Sequence, residues 1–241
     1  MRLLQLQSDG GVKFAEIYGD IPAYAILSHT WGADADEVIY QDIITDRGVG
    51  KSGYQKIRFC VEKAANDGLK YFWIDTCCID KSSSAELSEA INSMFRWYQN
   101  AAKCYVYLAD VSIRGWGREH DPEIDDTRTL IFQQRFTRGW TLQELLAPAI
   151  VEFFSAEGER LGDKKSLINQ LQQVTQIARG ALEGDPLSSF SVDERMAWTN
   201  KRKTKRDEDA AYCLFGLFDL HMPLLYGEGK KRAFIRLLRE I

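Results

Sequence analysis

The sequence predicts an α/β fold: a parallel sheet with flanking helices, an N-terminal β-hairpin and a helical C-terminal extension. Three observations lead to it. Four β-rich runs (Tyr24–Trp31, Tyr71–Cys77, Cys104–Asp110 and Val151–Ala156) are almost continuously apolar, as strands covered on both faces are. Segments with helical spacing lie between them, which calls for βαβ crossovers and hence parallel pairing. From about Ser191 onward only the helical period remains.

Taken in chain order, RLLQL and VKFAEIY flank Asp9-Gly10-Gly11 and read as a hairpin appended at the sheet edge. Tyr54, Ile57, Val61, Ala64 and Ala65 keep helical spacing until Gly68, a suitable residue just past a helix end. Leu87, Ala90, Ile91, Met94, Phe95 and Tyr98 form an i, i+3, i+4, i+7 stripe, with Ser83 and Glu86 as its capping box. Residues 114–135 are the least regular and are expected to form a long, mobile insertion. Leu167, Ile168, Leu171 and Val174 mark a helix with Asp163 as N-cap. Ser191 and Glu194 supply a further capping box. Ala211, Leu214, Phe215 and Phe218 make one late stripe, and Phe234, Leu237, Leu238 and Ile241 the last. The expected organisation is an α/β core over 1–180 and a helical portion over 181–241 packed on it, together one domain.

Composition narrows the function classes. The 241 residues are 45% apolar and 27% charged, with a net charge of −4, so no general drive toward nucleic acid or anionic membrane is expected. No apolar run approaches the ~20 residues of a membrane span, and the start lacks the pattern of a signal peptide. Five cysteines, an odd number without framework spacing, point to reduced thiols and a cytoplasmic setting. Cys77-Cys78 is vicinal rather than CxxC and the three histidines are scattered, so no metal site is expected.

In parallel sheets, ligands bind outside the carboxyl ends of the strands. That rule selects Ser28, His29 and Trp31 after the first run, Asp75 and Asp80 after the second, and Asp110 after the third. The segment RGWTLQELLAP, Arg138 to Pro148, precedes the fourth strand and belongs on the same rim. Within it Trp140 and Glu144 are four residues apart, on one face of a short helix. An aromatic plane beside a carboxylate suits a sugar or nucleotide. Thr141 and Glu144 also have the spacing of a capping box, so two roles compete for one side chain. GVGKSG (48–53) lacks the first glycine of a phosphate loop, Thr45 standing there, and reads as a turn before a helix. KRKTKRDED (201–209) offsets its own charge and reads as a solvated helix junction, and Arg195 and Asp209 as an ion pair between helices.

The blocks YAILSHTWG, YFWIDTCCIDK, ELSEAINSMFRWYQNAAKCYVYLADV, RGWTLQELLAP, DERMAW and EDAAYCLFGLFDLHMPLLYGEG occur in an order that resembles fungal heterokaryon-incompatibility (HET) domains. The resemblance covers nearly the whole chain. It is greatest to HET domains at the N-terminus of NLR-like proteins with NACHT and WD-repeat regions. It implies a cell-death effector in non-self recognition, attached to those regions and self-associating when activated. A more distant resemblance to TIR domains implies a flavodoxin-like, TIR-like sheet. In NAD-cleaving TIR domains a Trp-x-x-x-Glu carries the catalytic carboxylate, which maps here onto Glu144. The sequence departs from that pattern at Arg138-Gly139 and Thr141 and in everything after Ser191. The implied reaction is cleavage of the nicotinamide–ribose bond, with NAD⁺ as substrate and no cofactor. Glu144 would be catalytic, and Ser28, His29, Trp31, Asp75, Asp80, Arg138 and Trp140 would bind substrate. The competing expectation is a non-catalytic signalling module that acts by homotypic assembly and recruitment.

Overall fold

The computed structural model describes residues 1–7, 10–15, 17–113 and 136–241. The expected insertion over 114–135 and part of the hairpin turn lie outside them. Seven strands form one mixed sheet: β1 (Leu3–Leu6), β2 (Val12–Ala15), β3 (Tyr24–His29), β4 (Tyr71–Trp73), β5 (Lys103–Tyr107), β6 (Val151–Phe154) and β7 (Arg160–Asp163), in the order β2-β1-β4-β3-β5-β6-β7. The central four pair in parallel, and the hairpin β1–β2 and strand β7 close the two edges antiparallel. Numbered among themselves, the parallel strands run 2-1-3-4, the start of the flavodoxin-like order. Its switch point falls between β3 and β5.

Strand β4 is shorter than its apolar run because the chain turns at once after Ile74, whose carbonyl accepts from Cys78 N–H. Strand β7 carries a polar, glycine-containing sequence without strand periodicity and was invisible to pattern reasoning. It also overturns the expected cap: Asp163 ends β7, and its carboxylate accepts from Lys165 and Ser166 N–H in the turn before the next helix.

Ten α-helices are present among the described residues: α1 (Tyr40–Ile44), α2 (Tyr54–Asn66), α3 (Ser84–Asn100), α4 (Thr141–Leu146), α5 (Ile168–Thr175), α6 (Arg179–Glu183), α7 (Val192–Ala197), α8 (Asp209–Tyr212), α9 (Phe215–Phe218) and α10 (Lys230–Glu240). None is long and apolar enough to cross a membrane. Alternation along the strands assigns the layers. Tyr105 and Tyr107 point to one face, where Phe59 of α2 meets both rings at 6.5 and 4.7 Å between centroids. Tyr24, Ile26 and Ser28 point to the other. There Tyr24 donates to the Trp97 carbonyl of α3, and Trp73 packs edge-on to Trp97 and Tyr98. Helices α4 and α9 pack against α3 on that side.

The caps follow the sequence only where the chain enters a helix in extended conformation. Ser191 and Glu194 form both halves of their box. Ser83 accepts from Glu86 N–H, but the Glu86 carboxylate turns away to Asp80 N–H and Arg2. Arg195 and Asp209 do not pair: Arg195 donates to the Leu217 carbonyl and lies over the Phe218 ring.

Gly216 marks the closest approach of α9 to α3, since a Cβ there would fall inside the Phe95 side chain. Gly216→Ala should therefore destabilise the domain by about 1–3 kcal/mol through overpacking. Urea denaturation measures it, and an unchanged midpoint would contradict this packing.

Candidate functional site

A cavity of about 610 Å³ opens at the carboxyl end of the parallel strands, beside the β3/β5 switch point. Its size and mixed lining suit a small organic ligand. Of the residues selected from sequence, His29, Trp31, Asp75, Arg138, Trp140 and Glu144 line it together. Ser28, Asp80 and Asp110 do not. Ser28 is 2% exposed and lies beneath the wall. Asp80 accepts from the backbone and hydroxyl of Ser82 at 3.0 and 2.6 Å, organising the turn before α3.

The capping reading of Glu144 fails for a conformational reason. An N-cap needs an extended backbone, but Trp140 (φ −63°, ψ −26°) is already helical and no side chain caps α4. Thr141 instead donates to the Arg138 carbonyl at 2.7 Å. The carboxylate of Glu144 accepts from the Ser28 hydroxyl at 2.5 Å, across 116 positions of sequence. Helical direction and strand alternation make this meeting possible, because Ser28 points to the face that α4 covers.

The strand ends are tied to each other through Asp75, whose oxygens accept from Trp31 Nε1 at 2.8 Å and contact His29 Nε2 at 3.0 Å. Burial opposes ionisation of Asp75. The hydrogen bond and charge of His29, with Lys81 and the Trp31 indole, override it and hold the carboxyl well below its usual range. Lys81 stands 3.6 Å from the Trp31 ring centroid, covering one face of that indole.

The far wall comes from the C-terminal portion, through Lys203, Thr204, Lys205, Arg206, Asp209 and Tyr226. Sequence reasoning gave these basic residues to a solvated junction. A parallel bridge between Arg138 and Lys203 joins this segment to the lead-in of α4, with Gly139 N–H donating to the Lys203 carbonyl at 2.9 Å. Only glycine fits at 139: a Cβ would meet Thr204 Cγ2 at 2.6 Å and Cys213 Sγ at 3.2 Å. Arg202 reinforces the junction by donating to the Arg138 carbonyl and Thr141 hydroxyl at 3.0 and 2.7 Å. Burial lowers its pKa to about 10, opposed by Cys213 and Glu144. Asp209 accepts from Trp140 Nε1 at 3.4 Å and from the Tyr226 hydroxyl at 2.9 Å. Burial raises its pKa despite those two hydrogen bonds. The missed residues had a visible signal: a dense cationic run between helices that had no assigned partner.

The fold and site define an α/β domain with a switch-point cleft, lined by Glu144, that its C-terminal portion completes. Residues 24–122 match the family model described as heterokaryon incompatibility protein (HET). Over 245 aligned residues and the whole of this chain, it is 56% identical to vegetative incompatibility protein HET-E-1 of Podospora anserina. The chain belongs to the HET family, and it spans 18% of that relative's length. No solved structure matches it.

Arg202→Met keeps the aliphatic stem and removes the clasp, and is expected to cost about 1.5–3 kcal/mol in chemical denaturation. The acid limb should depend on Asp75. Its folded pKa lies below the ordinary 3.8, so the stability it confers is fully present above about pH 4 and is lost as pH falls toward the folded value. Stability measured against pH should show a shallower acid decline in Asp75→Asn. An identical decline in both proteins would contradict the depressed pKa.

Proposed function

We propose that this domain is a cell-death effector of fungal non-self recognition, acting by cleavage of the nicotinamide–ribose bond of NAD⁺ or a related nucleotide. The observation that carries the reading is Glu144: the residue lines the switch-point cavity together with Trp140, and its side chain does not cap its own helix. The relationship to a vegetative incompatibility protein supports the biological role. On this reading the domain works in the cytoplasm, joined to NACHT and WD-repeat regions of a longer protein and self-associating when activated.

In the reaction the C1′–N bond breaks with its electron pair going to the ring nitrogen, so nicotinamide leaves as a neutral molecule. The ribose develops oxocarbenium character at C1′, which the Glu144 carboxylate stabilises electrostatically. Water then adds to C1′ and releases a proton to solvent. The Ser28 hydrogen bond orients the carboxylate, and Trp140 offers a plane for a ring. Asp209 and Arg202 act by positioning Trp140 and the start of α4.

The assembled protein incubated with NAD⁺ should release nicotinamide, and Glu144→Ala should reduce the rate by about 100-fold or more. Equal turnover by the two proteins would remove Glu144 from the mechanism. Absence of turnover, with killing retained by Glu144→Gln and lost in surface-helix variants, would establish the homotypic-assembly module instead.

A further inference from the structure

We infer that Lys203, Lys205 and Arg206 form a diphosphate subsite on the wall facing Glu144, which rests on the dinucleotide reading above and names how its polyanionic part is held. Three cations within four residues line the cavity from this segment. Their backbone is fixed in place. Lys203 forms the bridge to Arg138, its N–H donates to the Thr137 carbonyl at 2.6 Å, and Thr204 packs over Gly139. The segment is thereby bridged to Arg138, two residues before Trp140.

Among the described residues no buried ion pair holds these cations: Asp209 acts on Arg206 only as a nearby charge, and Asp34 meets Lys205 at the exposed mouth. Glu144 takes the Ser28 hydroxyl, Asp75 takes His29 and Trp31, and Asp209 takes Trp140 and Tyr226. Among the described residues, no hydrogen bond or ion pair engages the Lys203 ammonium. Arg206 stacks 4.1 Å from the Tyr226 ring centroid, an arrangement that leaves its N–H edge for oxygen acceptors. Lys205 reaches Asp34 at 3.0 Å across the mouth, but both side chains are largely exposed, at 73% and 80%. Such a pair is worth little and exchanges readily for a doubly charged ligand. Ser28, expected from sequence to bind substrate, is buried and its hydroxyl donates to Glu144. A hydrogen-bonded chain from Trp140 through Asp209 to Tyr226, with Arg206 stacked on that last ring, joins the basic wall to the aromatic one. A ligand with a flat ring at one end and a diphosphate in the middle matches this layout.

Calorimetric titration of the chain with ADP-ribose, ADP, AMP and inorganic pyrophosphate tests the subsite apart from turnover. ADP-ribose and ADP should bind more tightly than AMP, and Lys203→Gln/Arg206→Gln should weaken both by about tenfold or more. The variant's binding should also depend less steeply on salt. Both substitutions are on exposed side chains, and an unchanged melting temperature certifies the fold. Pyrophosphate binding as tightly as ADP-ribose would identify free diphosphate, rather than a dinucleotide, as what the basic wall takes. Unaltered ADP-ribose affinity in the double variant, or none in the wild type, would overturn the subsite. The two readings separate cleanly: binding without nicotinamide release discards the reaction and keeps the subsite. Nicotinamide release with an unchanged KM in the double variant discards the subsite and keeps the reaction.

Discussion

The hydrogen bond from Ser28 to Glu144 is the constraint around which the cavity is arranged. Ser28 is the last residue but one of β3, which is buried throughout, and its hydroxyl would be costly to leave without a partner there. Glu144 meets that need only if α4 lies across the end of β3, on the face away from α2. Once it does, Trp140 and Arg138 are carried to the same rim as His29 and Trp31. The carboxylate accepts from Ser28 while its residue remains part of the cavity wall. A group so placed is oriented without being buried, which is the condition for acting on a ligand.

Holding α4 there requires the C-terminal portion. The lead-in 137–139 runs beside Lys203, and Gly139 is squeezed between Thr204 and Cys213. Arg202 bonds two oxygens that begin the helix, and Gln143 donates to the Cys213 carbonyl from the buried side. Glu208, from the same segment, accepts from Gly227 and Gly229 N–H and fixes the loop that carries Tyr226. Residues after 200 are therefore part of the cavity and not a separate appendage. The same contacts explain why a basic run with no core residues of its own is held in defined conformation.

Much of the fold was legible because burial imposes a period. Four strands covered on both faces must be continuously apolar, and Leu87 to Tyr98 must repeat every three to four positions to cover the sheet. The candidate rim followed from strand order alone, and six of the nine residues named on it meet in one cavity. Strand β7 was not legible, since an edge strand of four mostly polar residues has no burial to advertise. Capping was legible only in part: Ser191 caps as its spacing says, whereas Thr141 cannot, because the chain enters α4 already helical.

By itself, the sequence determined the α/β class, the edge hairpin, the central strands and the face on which Trp140 and Glu144 stand together, all properties of local period and spacing. Tertiary structure alone decided that Glu144 bonds Ser28 rather than its own helix, that Asp80 stays outside the cavity, and that Lys203 to Arg206 stand inside it. The reason is range. Patterns of three or four residues report which side of an element is buried. The partner of a polar side chain such as Glu144 or Asp75 is chosen among residues 44 to 116 positions away, by which elements the core brings into contact.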